Sequence, residues 1–402
     1  MTRAVVVTGM GLVTPIGSTL DTFWQALLSG KSGARPIRSF DTSVFKHRVG
    51  CEVLDFAADS SAGRGATRQG RATRMAIAAG ERSLSDAGLE NSLPPERTAV
   101  VLGTTLGEPQ FLEELAERWA LDAPPPEGWA EVVAHRCDSA ATALASRFRV
   151  HGPVQTIPTA CAAGNYAIAR AVDLIRSDRV DLAMVGGAEA FSRLAFVGFV
   201  RLHAMAPDRC RPFDRDRKGL LLGEGAGILV LEEEERARRR GARIYARVLG
   251  YGLSCDAYHI TGPHPEGRGA AQAMTRALEN SRVASDEVEY INAHGTGTIN
   301  NDRVETLAIK SVMGSRARSV PVSSIKALTG HMMGASSSVE AIACALAIDR
   351  GVLPPTWNLE TPDPECDLDY LPGRPRELRP RVVLNNSYAF GGNNATLVFG
   401  RP

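Results

Sequence analysis

A cysteine, Cys161, stands among small residues in "PTACAAGNYAIARAV" (158–172), directly ahead of a run with apolar residues at helical spacing. That spacing predicts a helix that begins at the cysteine. The dipole and unpaired N–H groups of a helix N-terminus favour a thiolate over a thiol, and the same groups can hold an oxyanion. Ala162, Ala163 and Gly164 leave room for a substrate to approach. A lone cysteine is commonly a small core residue. Its position makes this one a candidate nucleophile, and the first of seven cysteines expected to be alkylated.

Three further turns carry reactive side chains. "INAHGTGT" (291–298) delivers His294 into glycines that permit close backbone approach, with Thr296 and Thr298 offering hydroxyls to a polar ligand. "SSIKALTGHMMGASS" (323–337) holds Lys326 and His331 ahead of another Ala-rich helical run. The chain has only five lysines, and one inside such an apolar stretch demands a partner, for which Glu305 is the expected candidate. "NNSYAFGGNNATLVF" (385–399) puts Phe390 on a glycine hinge, as core filler or as a gate to a pocket. One cysteine, two histidines and a lysine, each on a small-residue turn, suit nucleophilic acyl transfer. His294 and His331 are 37 residues apart with no local helical ligand pattern, so no metal is expected.

The elements that must position these groups alternate. "RAVVVTG", "RTAVVLGT", "DLAMVGGAEA" and "GAGILVLEE" read as buried strands, and "ATRMAIAAGERSLSDAG" and "GNYAIARAVDLIRSD" as helices, which is an α/β pattern. The pattern occurs twice. "TRMAIAAGERSLSDAGLENSLPPERTAVVLGTT" and "GAAQAMTRALENSRVASDEVEYINAHGTGT" run in the same order. So do the Cys161 turn with its helix and the His331 turn with its helix. The charged connector at 232–246 divides the chain into an N-terminal half, 1–245, with the cysteine, and a C-terminal half, 246–402, with the histidines, lysine and hinge.

The 402-residue chain can bury a large core without staples. A net charge of +1 gives no general attraction to nucleic acid or membrane. Scattered cysteines, an N-terminus without a signal-peptide pattern and no apolar run of roughly 18 residues lead to the expectation of a reduced, cytoplasmic protein. "VTGMGLVTPIG" carries Gly9, Gly11 and Gly17 after a strand, but the spacing of a dinucleotide-binding turn fails.

"TACAAG", "NAHGTGT", "SSIKALTGHMMGA" and "NSYAFGGNN", in that order, resemble the elongating β-ketoacyl-[acyl-carrier-protein] synthases, synthase II and the ketosynthases of type II polyketide systems above all. The likeness runs from "VVVTGMGLVTPIG" to "ATLVF". It implies a thiolase-like fold, two duplicated halves in five αβαβα layers, working as a homodimer or as a heterodimer with a chain-length-factor-like subunit. It implies a Cys-His-His site at Cys161, His294 and His331, with Lys326 and Glu305 as its structural lysine and glutamate. Thr296 and Thr298 would contact pantetheine and Phe390 would gate. The backbone N–H groups of Cys161 and Phe390 would form the oxyanion hole, and Leu106 and Phe199 would line the acyl tunnel. No cofactor is implied beyond substrates carried on the phosphopantetheine of an acyl carrier protein. That partner is acidic in this family, so a basic docking surface is expected. Arg68, Arg71 and Arg211 are favoured, from the stretches carrying Arg64, Arg68, Arg71, Arg74 and Arg209, Arg211, Arg215, Lys218.

The implied reaction is decarboxylative Claisen condensation of an acyl-Cys161 with a malonyl-carrier. The alternatives are an acyltransferase that makes esters without elongation, and a partner subunit of a heterodimer. The chain departs from the family at Ala389 and Asn393 in the gate, where glycine and threonine are usual. Asn165 and Tyr166 are more polar than a fatty-acyl tunnel would call for, as is "GWAEVVAHRC" (128–137), and they point to a specialised pathway.

Overall fold

A computed structural model describes residues 3–54, 56, 69–90, 92–124 and 137–402. Its centre is a ten-stranded sheet. Five strands come from the first part of the chain: β1 (Val5–Val13), β2 (Thr98–Gly103), β3 (Val154–Ile157), β4 (Leu182–Glu189) and β5 (Gly225–Glu233). Five come from the second: β6 (Ala246–Cys255), β7 (Tyr290–Asn292), β8 (Val322–Ser323), β9 (Val382–Tyr388) and β10 (Asn393–Gly400).

Their order is β3-β2-β4-β5-β1-β6-β10-β9-β7-β8, the same arrangement run outward twice from the middle. In each half the outer three strands are parallel and the next two antiparallel. The halves meet where Val5, Val6 and Val7 pair with Val248, Arg247 and Ala246. β2 and β4 are buried along their whole length, as strands covered on both faces must be.

The helices repeat as well. α1 (Arg71–Ala87) and α2 (Ser139–Phe148) cover one outer face, and α4 (Arg268–Ser281) and α5 (Ile299–Met313) the other. α3 (Ala163–Arg176) and α6 (Ser336–Arg350) pack on each other and on strands of both halves, forming the middle of five αβαβα layers. Ser336 to Ile348 of α6 are buried on every side, which is why "SSSVEAIACALAI" is Ala-rich and carries no exposed polar face. Gly164 sits where these helices touch: a Cβ there would lie 2.7 Å from Ser337 Oγ and 2.8 Å from Ser338 N. The small residues after Cys161 therefore serve close packing. Ala162 and Ala163 are fully buried and give no opening for substrate, contrary to the expectation from sequence.

Gly9 and Gly11 lie inside β1 rather than in a phosphate-binding turn. Among the described residues no helix is long and apolar enough to cross a membrane. Arg64, Arg68 and nearly all of "GWAEVVAHRC" lie outside the described residues.

Candidate active site

Parallel strands deliver their ligands at their C-terminal ends, and the reactive turns follow that rule. Cys161 follows β3 in a single 3-10 turn (Ala160–Ala162) that runs into α3. Ala160 holds a left-handed backbone, φ 48°, unusual for a residue with a Cβ, so the turn that presents the sulfur is strained. His294 follows β7, Lys326 follows β8, His331 precedes α6 and Phe390 follows β9. Cys161, His294, His331, Phe390, Thr296, Thr298 and Phe199 line one cavity of about 400 Å³.

Each histidine is oriented from behind. Met333 N–H donates to His331 Nδ1 (3.2 Å), and Ser336 Oγ lies 3.0 Å from the same atom. Lys326 Nζ lies 3.4 Å from His294 Nδ1 and donates to the His294 carbonyl (2.7 Å). An ammonium can only donate. Both Nδ1 atoms are therefore acceptors, and in the neutral rings the proton sits on Nε2. The imidazoles are edge to face, with centroids 5.4 Å apart at 81°. Burial, with the Lys326 charge adding to it, holds both well below the usual histidine range, so they are neutral at pH 7.

Lys326 is buried and forms its ion pair with Glu340 of α6, also buried. This corrects the expected pairing with Glu305. That carboxylate instead accepts the backbone N–H groups of His294 and Gly295 (both 2.8 Å), and burial pushes it up to about 7. Glu305 shapes the His294 turn, and Glu340 balances the lysine. A lone carboxylate inside the apolar run "SSVEAIACAL" was the signal for Glu340.

Two opposing effects act on Cys161. Burial pushes its thiol up to about 12, while Lys326 and the backbone N–H groups of Phe390 and Cys161 pull the other way. Burial thus opposes the thiolate that the helix mouth favours. A second buried carboxylate, Glu189, was not singled out from sequence. It accepts Thr105 N (2.6 Å), Leu106 N (3.0 Å), Thr104 Oγ1 (3.2 Å) and Gly334 N (3.2 Å). It thereby ties the turn after β2 to the turn that carries His331, and burial raises it to about 7.

Other expectations divide. Thr296 and Thr298 hydrogen-bond each other through their hydroxyls at 2.8 Å. Phe199 lies tilted against Phe390, 5.7 Å between centroids at 36°. Leu106 is not part of the cavity wall; it packs in an apolar cluster with Phe191, Phe196, Met333 and Phe199. Asn165 and Tyr166 face the join between the halves rather than a tunnel. Asn165 Nδ2 donates to the Asn385 backbone carbonyl (3.1 Å) and Asn165 Oδ1 accepts from Asn385 Nδ2 (3.0 Å), while Tyr166 Oη donates toward the Ser254 and Asn394 carbonyls (3.3 Å each).

In the gate, Ala389 is extended (φ −127°), a conformation open to any residue, whereas Gly391 and Gly392 take φ 79° and 78°. The alanine at 389 thus adds no backbone strain. Arg71 is not a free docking charge: it grips buried Glu224 through Nε (2.8 Å) and Nη2 (2.7 Å) and also holds the Val53 carbonyl. Arg211 is paired with Asp208 (2.9 and 2.8 Å). No cluster of metal ligands occurs among the described residues.

A thiol between backbone donors, faced by two neutral imidazoles at the centre of a duplicated five-layer fold, defines a condensing acyltransferase of the thiolase-like class. The chain belongs to the β-ketoacyl synthase family. The model of the N-terminal domain of β-ketoacyl synthase matches residues 2–237, and that of the C-terminal domain matches residues 245–360. It is 43% identical to a 3-oxoacyl-[acyl-carrier-protein] synthase 2 of Synechocystis sp., over 99% of this chain and 98% of that one. It is 39% identical to the tetracenomycin polyketide synthase ketoacyl synthase alpha subunit of Streptomyces glaucescens, over 100% of this chain and 97% of that one. The solved ishigamide ketosynthase/chain length factor matches with a TM-score of 0.93 and 43% identity over the full length of both chains.

Proposed function

We propose that this chain catalyses decarboxylative Claisen condensation of an acyl thioester with malonyl-acyl-carrier-protein, giving a β-ketoacyl-carrier. The carrying observation is the convergence of Cys161 and two Nε2–H imidazoles on one cavity. The Cys161 sulfur attacks the acyl carbonyl, the bond to the carrier sulfur breaks, and the thiol proton ends on the departing carrier thiol. Backbone N–H groups of Cys161 and Phe390 hold the oxyanion; one such donor is worth on the order of 100- to 1000-fold in rate.

Malonyl-carrier then binds with its thioester oxygen between His294 and His331. Carbon dioxide leaves, and its bonding electrons form the enolate that the two N–H groups stabilise. The enolate attacks acyl-Cys161, the thioester to the protein breaks, and the thiolate takes a proton from solvent. Decarboxylation generates the carbanion, so no base is needed, which fits imidazoles held as neutral donors. Lys326 orients His294, and Glu305 shapes its turn. Thr296 and Thr298 meet the pantetheine arm, Phe390 gates, and Phe199 borders the acyl path, with Leu106 behind it.

The chain acts on carrier-borne substrates without a metal or redox cofactor, in the cytoplasm, as a homodimer or beside a chain-length-factor-like subunit. We place the boundary between its halves at 245/246. The high likeness to a ketosynthase/chain length factor favours a specialised fatty-acid or polyketide pathway. The test is release of labelled carbon dioxide from malonyl-carrier together with a β-keto product. Cys161→Gln should abolish elongation and keep decarboxylation. Acyl transfer by the wild type without carbon dioxide release would instead support an ester-forming acyltransferase.

A further inference from the structure

Glu189 ends β4 fully buried, with hydrogen-bond donors around it and no ion-pair partner among the described residues. Its Oε1 accepts Leu106 N–H (3.0 Å) and the Thr104 hydroxyl (3.2 Å), and its Oε2 accepts Thr105 N–H (2.6 Å) and Gly334 N–H (3.2 Å). The Thr104 oxygen already takes Gly107 N–H (3.0 Å), which turns its proton toward the carboxylate. A glutamine in this place would keep one acceptor oxygen and set an NH2 group against two of these donors. The surroundings therefore select a carboxylate, although burying one without a counter-charge is costly.

The Gly334 contact reaches the catalytic histidine in two steps. Met333 holds φ 45°, a left-handed backbone unusual for a residue with a Cβ, and such strain persists only where neighbours hold it. Its N–H donates to His331 Nδ1 (3.2 Å), and Ser336 Oγ lies 3.0 Å from the same nitrogen. A hydroxyl can donate or accept and so serves either tautomer, whereas a backbone N–H only donates. Met333 is thus the contact that leaves the ring proton on Nε2. The peptide on its other side carries the N–H that Glu189 holds. Gly334 is also pressed onto the turn after β2, where a Cβ would lie 2.7 Å from Thr104 Cα and 2.8 Å from Thr105 N.

We propose that Glu189 is a positioning residue for His331: by holding Gly334 N–H it keeps Met333 in the left-handed turn that donates to Nδ1, and so presents Nε2–H to the malonyl thioester. The inference rests on the condensation reading above. The role is confined to one half-reaction. Acyl loading uses the Cys161 sulfur and backbone donors, and the charge of Glu189 helps keep that thiol protonated. Removing the charge should therefore harm decarboxylation and leave loading level or faster, an opposition that a general loosening of the fold does not produce.

Glu189→Gln keeps the volume and removes the charge. Carbon dioxide release from malonyl-carrier should fall about 10- to 100-fold, short of the 100- to 1000-fold that a whole donor is worth. Acyl loading onto Cys161 should stay level or rise. NMR of histidine labelled at its ring nitrogens should show an unprotonated His331 Nδ1 in the wild type and a protonated fraction in the variant, the signal being assigned by its absence from His331→Ala. Glu189→Asp keeps both acceptor oxygens but withdraws them from Gly334. Its release rate should lie between those of wild type and Glu189→Gln, and it carries the comparison where the glutamine variant does not fold. Unchanged carbon dioxide release, or an Nδ1 that stays unprotonated in every folded variant, would overturn the proposal. Equal losses in release and loading would do the same, because they mark a contribution to stability alone. If the wild type releases no carbon dioxide from malonyl-carrier, the condensation reading falls, while the histidine signal still decides whether Glu189 sets the tautomer.

Discussion

Lys326 and Glu340 form an ion pair in which both side chains are about 1% exposed, and the same ammonium reaches the carbonyl and ring of His294. A pair this deep is costly to break from one side, on the order of 3–5 kcal/mol, because the remaining charge is left uncompensated. Glu340→Gln should therefore lower stability to chemical denaturant by about that amount. Lys326→Ala should leave His294 without the donor that fixes its proton on Nε2. Carbon dioxide release should then drop about 100-fold, while acyl loading, which uses the thiol and backbone donors, drops far less. Equal losses in the two half-reactions would remove Lys326 from its positioning role.

The cysteines give a test with a pH sign. Cys161 is buried and its thiol pushed up to about 12, while Cys137 and Cys255 are exposed. Iodoacetamide should label Cys137 and Cys255 first, and an acyl-chain epoxide that fits the cavity should select Cys161. Because the thiolate is the nucleophile and its fraction is small below the raised pKa, alkylation of Cys161 should accelerate about ten-fold per pH unit from pH 7 to 9. A plateau beginning near pH 7, read by peptide mapping, would mean that the helix mouth outweighs burial after all.

The reactive residues were legible because each needed a local signal. Cys161, His294, Lys326 and His331 all sit on turns of small residues that end a strand or begin a helix, and the duplicated pattern showed on one line of sequence. Part of what sequence left hidden depends on contacts between the halves: Glu189 bridges the turn after β2 and the His331 turn, and Asn165 meets Asn385 from 220 residues away. The Lys326–Glu340 pair lies within one half, where the turn before α6 decides which carboxylate reaches the lysine. The balance at Cys161 was hidden for a related reason. A helix N-terminus can be seen in a sequence, but the depth of burial that opposes it cannot.

Asn165 and Asn385 supply a stability test of that join. Asn385 Nδ2 donates to Asn165 Oδ1 (3.0 Å) and to the Ser337 carbonyl (3.0 Å), and Asn292 Nδ2 donates to Asn385 Oδ1 (2.9 Å). Asn165→Leu strands part of a buried amide and should cost about 1–3 kcal/mol. In a double-mutant cycle with Asn385→Leu the two changes should be non-additive by at least about 0.5 kcal/mol. Additivity within error would show that the Asn165–Asn385 pair adds no coupling across the join.

Carrier docking closes the set, with its expected residues revised. Arg71 holds Glu224, whose side chain is 1% exposed, so Arg71→Glu should unfold the region around α1 instead of acting on the carrier alone. Arg211 is half neutralised by Asp208 before any partner arrives. Lys218, from the same arginine-rich stretch, differs from both. It is exposed, borders the cavity beside Gly219 and Leu220, and has no ion pair among the described residues. A free rim charge at the mouth mainly sets association rate and its salt dependence. Lys218→Glu should therefore raise KM for an acyl-carrier several-fold at low salt, with the gap to wild type closing as ionic strength rises. Turnover of a small thioester without the carrier should hardly change, and neither should thermal stability. If the small thioester suffers as much as the carrier substrate, Lys218 acts on the pantetheine end of the cavity and the docking surface lies elsewhere.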